Sequence, residues 1–370
     1  MTYSIKLWSE ILQIISGKNQ KAVEDPNGPY PIYGSGGTMG FARDYLCEAG
    51  TTIIGRKGTI NNPIFVTERF WNIDTAFGLA PGDMLHPKYL YYFCVMFNFK
   101  ELDKSTTIPS LAKRDLLNIK MPVPPLPEQE RIVANIEELF SELDKAVETL
   151  RTTKQQLEVY RQAVLKEAFE NIPMPTHKPL ALLCKNIVDC PHSTPKWVPS
   201  GKLCLRTTNF RRGYLDLSEK NYVSEETFNT RILRLKPLPG DVLYSREGAI
   251  LGLACIIPPE LEVCMGQRMM LLRPVDELDS RFLMHYLNSP KARELVVESI
   301  GGTASPHINV GDIKNFHIPF VPKLKQIEVI SEIESRLSVC DSIGKTVDTA
   351  LQHADALRQS ILKESFERRL

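Results

Sequence analysis

One short segment of this 370-residue chain concentrates side chains that can hydrogen-bond a planar polar ligand. It reads Arg206-Thr207-Thr208-Asn209-Phe210-Arg211-Arg212-Gly213-Tyr214, so cations alternate with hydroxyl and amide groups. Arginine presents a fork of donors, and asparagine both donates and accepts. Such side chains contact the base edges and phosphates of DNA. The side chains that we predict to bind DNA here are Arg206, Thr207, Asn209, Arg211 and Arg212.

Further candidates of the same chemical type occur elsewhere in the chain. In the second half they are Ser245, Arg246, Gln267 and Arg268, and in the first half Arg56, Lys57 and Arg43. Two polar turns, 105–107 and 302–305, are expected near the phosphate backbone. A single charged residue is ordinarily just solvated surface. The prediction therefore depends on the groups and not on any one member.

Motifs that would mark an enzyme are missing from the sequence. There is no Gly-x-x-x-x-Gly-Lys-Ser/Thr phosphate loop, and Gly34, Gly36 and Gly37 lack the spacing of a dinucleotide fingerprint. Asn62-Pro63-Ile64-Phe65 has only a partial likeness to the catalytic loop of DNA amino-methyltransferases. Cysteines and a histidine between residues 184 and 204 lack the paired spacing of a zinc site. We therefore expect no catalytic residue, metal or cofactor in this chain.

The chain contains an internal repeat. Residues 122–129 match residues 319–326 at an offset of 197, and that offset holds without a gap to the end. At the far end, residues 161–170 and 358–367 share seven of ten identities. Upstream likenesses are weaker and their offset drifts. Globular segments have therefore diverged by insertion, and we divide the chain into domains at 1–125, 126–172, 173–320 and 321–370.

Segments 126–172 and 321–370 are predicted to be long helices. Pro127 and Glu128 suit a helical first turn, and apolar or small residues then recur at alternating steps of three and four, the period of a coiled coil. The predicted seam of the first copy is Ile132, Ile136, Leu139, Leu143, Ala146, Leu150, Thr153, Leu157, Tyr160 and Val164. The seam of the second is Val329, Ile333, Arg336, Cys340, Ile343, Val347, Ala350, Ala354, Leu357 and Ile361. Short apolar runs bounded by Gly and Pro predict strands in the globular segments.

Composition and charge are those of an ordinary globular protein, with 43% hydrophobic residues and a net charge of +1. The globular segments carry a basic excess of two and three side chains, whereas segment 126–172 carries ten acidic and six basic ones. Local basic patches are compatible with DNA contact. No run of about 20 apolar residues is present, and the N-terminus does not resemble a signal peptide. We therefore expect a cytoplasmic protein with eight free thiols.

Together these features resemble the specificity (S) subunit of a Type I restriction-modification system. The most specific segment is Pro124-Pro125-Leu126-Pro127-Glu128-Gln129-Glu130-Arg131-Ile132-Val133, followed by a long amphipathic helix. Segments 30–37 and 240–248 are similar to that family's target-recognition domains. The second copy departs from the pattern with Lys323-Leu324-Lys325-Gln326, which we expect to weaken that helix start slightly.

The resemblance implies an α+β fold. Two mixed, strand-rich target-recognition domains would alternate with two long antiparallel coiled-coil helices in a pseudo-twofold repeat. Each domain would read one half of a bipartite double-stranded DNA target, and the helices would set the unread gap. Methyltransferase (M) subunits would dock on the chain with S-adenosylmethionine. Motor-nuclease (R) subunits would bring ATP and Mg.

Three alternatives stay open at the level of sequence. The chain could be the recognition subunit of a related Type II system, which differs in its partner. It could be a coiled-coil scaffold whose globular domains bind protein, which the repeat alone permits. A DNA methyltransferase with a fused recognition domain would need the cofactor motifs that the sequence lacks.

Overall fold

The computed structural model describes residues 3–248, 250–300 and 306–367. The chain forms two compact units. The first comprises Met1–Arg151 and Asp348–Leu370, and the second comprises Thr152–Val347. Each unit therefore contains one globular domain and a part of each long helix.

The first globular domain is built of short strands and short helices. Its strands are β1 (Ser4–Leu7), β2 (Leu12–Ser16), β3 (Tyr30–Gly34), β4 (Gly37–Ala42), β5 (Thr51–Gly55), β6 (Ile64–Val66), β7 (Trp71–Asn72), β8 (Ala76–Pro81) and β9 (Lys120–Val123). Its helices are α1 (Trp8–Ile11), α2 (Pro87–Met96) and α3 (Lys113–Leu116), with 3₁₀ turns at Gln20–Ala22 and Phe99–Leu102. The long helix α4 (Leu126–Glu170) follows.

The second globular domain repeats this plan with additions. Its strands are β10 (Thr176–Pro179), β11 (Cys184–Asp189), β12 (Trp197–Val198), β13 (Lys202–Leu205), β14 (Tyr222–Val223), β15 (Val242–Ser245), β16 (Ala254–Ile256), β17 (Val263–Met265), β18 (Met269–Pro274) and β19 (His317–Phe320). Its helices are α5 (Leu180–Leu183), α6 (Glu225–Ile232), α7 (Ser280–Leu287), α8 (Pro290–Ser299) and α9 (Val310–Lys314), with a 3₁₀ turn at Thr207–Asn209. The long helix α10 (Lys323–Glu367) follows.

Strand pairing confirms the internal repeat. The sheet β2-β8-β5-β6 of the first domain corresponds to β11-β18-β15-β16 of the second. In the other sheet, the parallel pair β3–β7 corresponds to the parallel pair β13–β17. The ribbons β1–β9 and β10–β19 bring each domain's first strand against the strand that leads into its long helix. The second domain has helix α6 between β14 and β15. The corresponding segment of the first domain, between β4 and β5, is irregular.

The ends of the long helices complete the cores of the globular domains. In the first unit, Phe366 near the end of α10 packs with its ring 4.9 Å from Tyr89 and 5.6 Å from Phe93. In the second unit, Phe169 near the end of α4 lies 5.2 Å from both Phe282 and Tyr286. The Tyr89–Phe366 pair is tilted at 47° and the other three pairs are edge-to-face. Aromatic pairs of this kind add stabilisation to the area that they bury.

A buried glutamine fastens the start of each long helix to its globular domain. Gln129 is fully buried, accepts from the His86 N–H at 2.8 Å, and donates to the Met84 and Pro124 carbonyls at 2.9 and 2.8 Å. Gln326 makes the same three kinds of bond in the second unit, each at 2.8 Å. The second copy therefore keeps the glutamine amide that fixes the helix start, which offsets the expected weakening there.

The long helices are present as predicted, and most positions of the predicted seams are buried or half-buried. In α4 the exceptions are Leu139, Ala146 and Tyr160, which are exposed, while the next residues, Phe140, Val147 and Arg161, are half-buried. In α10, Ile343 and Leu357 are also exposed. A straight helix has 3.6 residues per turn, so a stripe drifts away from a strict seven-residue repeat. Half-buried stems of Arg161 and Arg358, which the predicted seams did not include, also lie in the stripe, whereas Arg336 is a predicted seam residue.

One ion pair in each unit joins the two long helices, and the two pairs are equivalent in the repeat. Asp144 accepts from Arg358 in the first unit, and Arg161 Nη2 lies 2.5 Å from Asp341 Oδ1 in the second. The Arg358 guanidinium also lies 4.7 Å from the Phe140 ring centre. In the second unit Glu167 of α4 also pairs with Arg336 of α10. In the first unit Arg131 and Ile132 line a groove with Glu364 and Ser365. Within each unit residue numbers therefore rise in one helix as they fall in the other, and the helices pack antiparallel.

We expect Gln129→Ala and Gln326→Ala each to lower the free energy of unfolding by about 2–4 kcal/mol. Each substitution leaves a backbone N–H and two carbonyls without their partner, and a buried unsatisfied polar group costs about 1–3 kcal/mol. Chemical denaturation followed by circular dichroism measures the change. Gln156→Ala, on an exposed face of α4, is the matched control, and an equal loss in that variant would contradict the assignment.

Candidate nucleic-acid interface

In the second domain, loops that follow two parallel strands meet at one edge of the sheet. Strands β13 and β17 are parallel, with Leu205 opposite Met265. Arg206 follows the first strand and Gly266-Gln267-Arg268 follows the second. A Cβ on Gly266 would lie 2.2 Å from the Leu205 carbonyl oxygen. Only glycine allows this approach, which brings two predicted segments together.

Arg206 and Arg268 are the predicted cations that face solvent at this edge. Both are exposed, and within the described ranges neither guanidinium makes a hydrogen bond or ion pair to the protein. The Arg206 guanidinium lies 5.7 Å from the ring centre of Trp197. Arg268 has a φ of +64° and lies beside Gly248. Their donors are available to a ligand.

Gln267 has one end held by the protein. Its side chain is half-buried, and its Nε2 donates to the His192 carbonyl at 2.5 Å. This bond joins the β17 loop to residues 190–196, which precede β12. The amide oxygen stays available as an acceptor.

Arg211 and Arg212 are neighbours in sequence but have different surroundings. Arg211 donates to Asp216 Oδ2 at 2.8 Å and to the Thr208 and Phe210 carbonyls at 2.9 Å, which folds its own loop. Hydrogen bonds from Ser218 and the Arg211 cation hold the pKa of Asp216 below its usual range. Arg212 is exposed beside α8, in a groove that it lines with Arg293. The structure therefore does not place Arg212 with Arg206.

Three predicted contact residues are buried and bound to protein partners. Asn209, 4% exposed, accepts from the Arg206 N–H and donates to the Asp216 and Glu219 carbonyls. Ser245 is fully buried and accepts from the Leu253 N–H at 3.0 Å. In this structure both side chains hold loops, and their contact with DNA stays a prediction; Thr207 is half-buried on the intervening 3₁₀ turn.

Arg246 is the third, and it forms a buried ion pair. Its Nε and Nη2 lie 2.8 and 3.0 Å from the two carboxylate oxygens of Asp189. The exposed fractions of these side chains are 8% and 16%. Arginine–carboxylate forks fix geometry, so Arg246 holds this edge in place, and its contact with DNA stays a prediction.

The first domain builds an equivalent turn around Arg56, Lys57 and Gly58. The Gly58 N–H donates to the Pro109 carbonyl and the Leu111 N–H donates to the Arg56 carbonyl. In the second domain Gly248, Pro306, Ile308 and Arg246 make the same two bonds. Gly58 and Gly248 have φ of +81° and +86°, which glycine adopts at little cost.

At this turn of the first domain Lys57 is exposed, whereas Arg56 is half-buried with its guanidinium 5.7 Å from the Phe77 ring centre. Ser35, in the turn between β3 and β4, lies beside Gly58. Arg43 follows Ala42, which pairs with Tyr30 at the opposite end of that hairpin. Arg43 is therefore separated from Lys57. The polar segment 105–107 leads to Pro109, and its counterpart 302–305 lies outside the described residues.

His192 and Trp197 at the second-domain edge were missed by sequence reasoning. His192 Nε2 lies 3.1 Å from Asp189 Oδ2, and Trp197 is 41% exposed beside Arg206. The available signal was an aromatic and basic pair, Lys196-Trp197, after a turn-rich segment with two prolines. Stacking of aromatic rings on nucleotide bases uses such side chains.

The described residues form neither a metal-binding cluster nor a membrane-spanning helix. Among the described residues no three His, Cys, Asp or Glu side chains are grouped to hold a metal ion. Cys190 and Cys204 are buried thiols, and burial raises the pKa of Cys190. No helix in the described ranges has the length and apolarity required to cross a bilayer.

Comparisons with known proteins agree with this architecture. A family model described as Type I restriction modification DNA specificity domain matches residues 4–159 and 213–352. The Type I restriction enzyme EcoBI specificity subunit of Escherichia coli is 24% identical over 344 residues, which cover 85% of this chain and 72% of that protein. The EcoKI specificity subunit of E. coli K12 is 26% identical over 274 residues, 69% of this chain and 58% of that protein.

The fold is shared with a solved structure. A chain from the structure described as the structural basis of complex assembly and conformational transition of the type I R-M system has a TM-score of 0.76 at 18% identity. The match covers 100% of this chain and 98% of the other. The predicted fold class is thereby confirmed.

We expect Arg246→Met to lower the free energy of unfolding of the second unit by about 1–3 kcal/mol, because the largely buried Asp189 carboxylate loses its two hydrogen bonds to the guanidinium and retains His192 as a partner. Urea unfolding followed by tryptophan fluorescence measures this, since Trp197 lies in the same unit. Arg206→Met is the matched control and should stay within about 0.5 kcal/mol of the unmodified chain, as exposed substitutions usually do. Equal stability of the two variants would show that the buried pair contributes nothing.

Proposed function

Because the chain belongs to the family of Type I restriction modification DNA specificity domains, we propose that it is the DNA-recognition subunit of a Type I restriction-modification complex. The observation that carries the proposal is the repeat, in which one strand plan occurs twice and each copy leads into a helix of 45 residues. Two related recognition surfaces in one chain suit a target in two parts. A related Type II system is not favoured, since the relatives bear Type I names.

Each globular domain reads one half of a bipartite site in double-stranded DNA. In the second domain the exposed Arg206 and Arg268, together with Gln267, supply donors and an acceptor at one edge. In the first domain the exposed Lys57 lies in the turn that corresponds to residues 246–248 of the second. Arginine forks pair with guanine O6 and N7, and lysine suits guanine or phosphate. Contact of Arg43, Arg211 and Arg212 with DNA stays a prediction.

The long helices set the unread gap between the half-sites. A 45-residue helix is about 67 Å long at 1.5 Å per residue. Each helix is fixed at both ends, by the buried glutamine at its start and by a phenylalanine near its end. Because both ends of the helix are fixed, a longer helix would lengthen the spacer between the two half-sites.

The chemistry of the complex resides in partner subunits. Methyltransferase subunits dock on the helices and recognition domains and bring S-adenosylmethionine to the bound adenines. Motor-nuclease subunits add ATP and Mg for restriction. This chain acts in the cytoplasm as a non-catalytic subunit without a cofactor of its own. Exposed apolar residues along the helices, such as Val159 and Val339 at 71% and 59% exposed, support a role in subunit contact.

We expect co-expression of the chain with the methyltransferase encoded beside its gene to methylate adenines in a split motif with a fixed gap. Mapping of methylated adenines across the host genome supplies both half-sites. Deletion of this gene, with the methyltransferase retained, should abolish the modification. Methylation of a continuous motif, or methylation that persists without this chain, would contradict the proposal and favour a scaffold.

We expect insertion of one heptad at matched positions in both long helices to lengthen the preferred gap by about three base pairs. Seven residues add about 10.5 Å of helix, and DNA rises about 3.4 Å per base pair. Both half-sites should be unchanged. Replacement of the same seven residues without insertion is the control, and an unchanged gap in the longer variant would refute the helices as a ruler.

A further inference from the structure

Arg231 is a buried cation whose partners are backbone carbonyls. It lies on the last turn of α6 and is 4% exposed. Its Nη1 donates to the carbonyls of Met265 at 3.2 Å and Gly266 at 3.5 Å, and its Nη2 donates to the carbonyl of Ser193. Throughout the described part of the chain, no carboxylate lies within ion-pair distance of it. A buried charge is costly unless it is hydrogen-bonded, so the carbonyls must stay in place around it.

Those carbonyls belong to two loops of the candidate DNA interface. Ser193 follows His192 in the loop that ends at Trp197, and Met265 and Gly266 lead directly into Gln267 and Arg268. The Gln267 bond to the His192 carbonyl is a second tie between the same loops. Two ties at adjacent positions fix the distance between the loops and also their register.

The third loop of the interface depends on the same tie. Gly266 packs against the Leu205 carbonyl, with the Arg206 Cα 3.8 Å from the position of its absent Cβ. A shift of Gly266 would therefore move Arg206 as well as Arg268. The planar guanidinium can donate to both loops in fixed geometry, whereas a lysine ammonium has one flexible point of attachment.

We propose that Arg231 is a positioning residue that sets the base preference of the second domain. This inference rests on the proposed function. Arg231 does not touch DNA in this account; it acts by holding the loops that carry Trp197, Arg206 and Arg268. The first domain has no helix between β4 and β5, so loss of Arg231 should affect one half-site only.

The test uses the full chain in complex with its methyltransferase and compares Arg231→Lys, Arg231→Met and Lys220→Met. Rates of methyl transfer are measured on duplexes that carry the intact site or one substituted base pair in either half. Lys220 is exposed in the same domain, so its variant controls for the loss of one positive charge. Amide hydrogen exchange of residues 190–197 reports on the loop itself.

For Arg231→Met we expect discrimination against substituted base pairs to fall about 10-fold or more in one half-site, with the other half-site unchanged. Exchange of the 190–197 amides should be faster, while β15 and β18 keep their protection. Arg231→Lys should recover part of the discrimination, and Lys220→Met should match the unmodified complex.

Two results would overturn the inference alone: unchanged discrimination in Arg231→Met, or equal losses in both half-sites with general loss of protection. In either case the unmodified complex would still methylate a split site. If the unmodified complex recognises no split site, the proposed function fails and this inference fails with it.

Discussion

The structure depends on the burial of both ends of each long helix in a globular domain. Within the first unit, Phe366 packs on Tyr89 and Phe93; within the second, Phe169 packs on Phe282 and Tyr286. A helix of 45 residues with a half-buried stripe gains little stability alone. Burial of its ends supplies that stability. The buried phenylalanine also fixes the orientation of that helix end against the globular domain on which it packs.

At the same edge of the second domain, buried side chains hold the loops and exposed arginines face solvent. Arg246, Asn209 and Ser245 are buried and hold the loops together with the half-buried Asp189, whereas Arg206 and Arg268 face solvent. Binding loops on a rigid scaffold can vary while the scaffold persists. The Arg-x-Gly turn shows this, because both domains keep its backbone bonds while the residue between Arg and Gly is Lys57 in one and Glu247 in the other.

The domains share a plan and differ where their loops are built. The β3–β4 hairpin of the first domain corresponds to β13–β14 of the second, which adds β12, α6 and α8. Two copies of one scaffold with different loops can present different hydrogen-bonding groups to DNA. Different half-sites can then be read without any change to the helices.

The sequence alone determined the repeat, the two long helices, the mixed globular domains and the family resemblance, because periodicity and self-similarity are local properties of the chain. It did not determine which polar side chains face outward. Arg206 and Arg246 look alike in sequence, yet one is exposed and the other is paired with Asp189, 57 residues away. The one-residue shift at three positions of the α4 stripe and the roles of Gln129 and Arg231 likewise depended on distant carbonyls and facing helices. Those partners are brought near only by the tertiary structure, since hydrogen-bond satisfaction is decided in space and not along the chain.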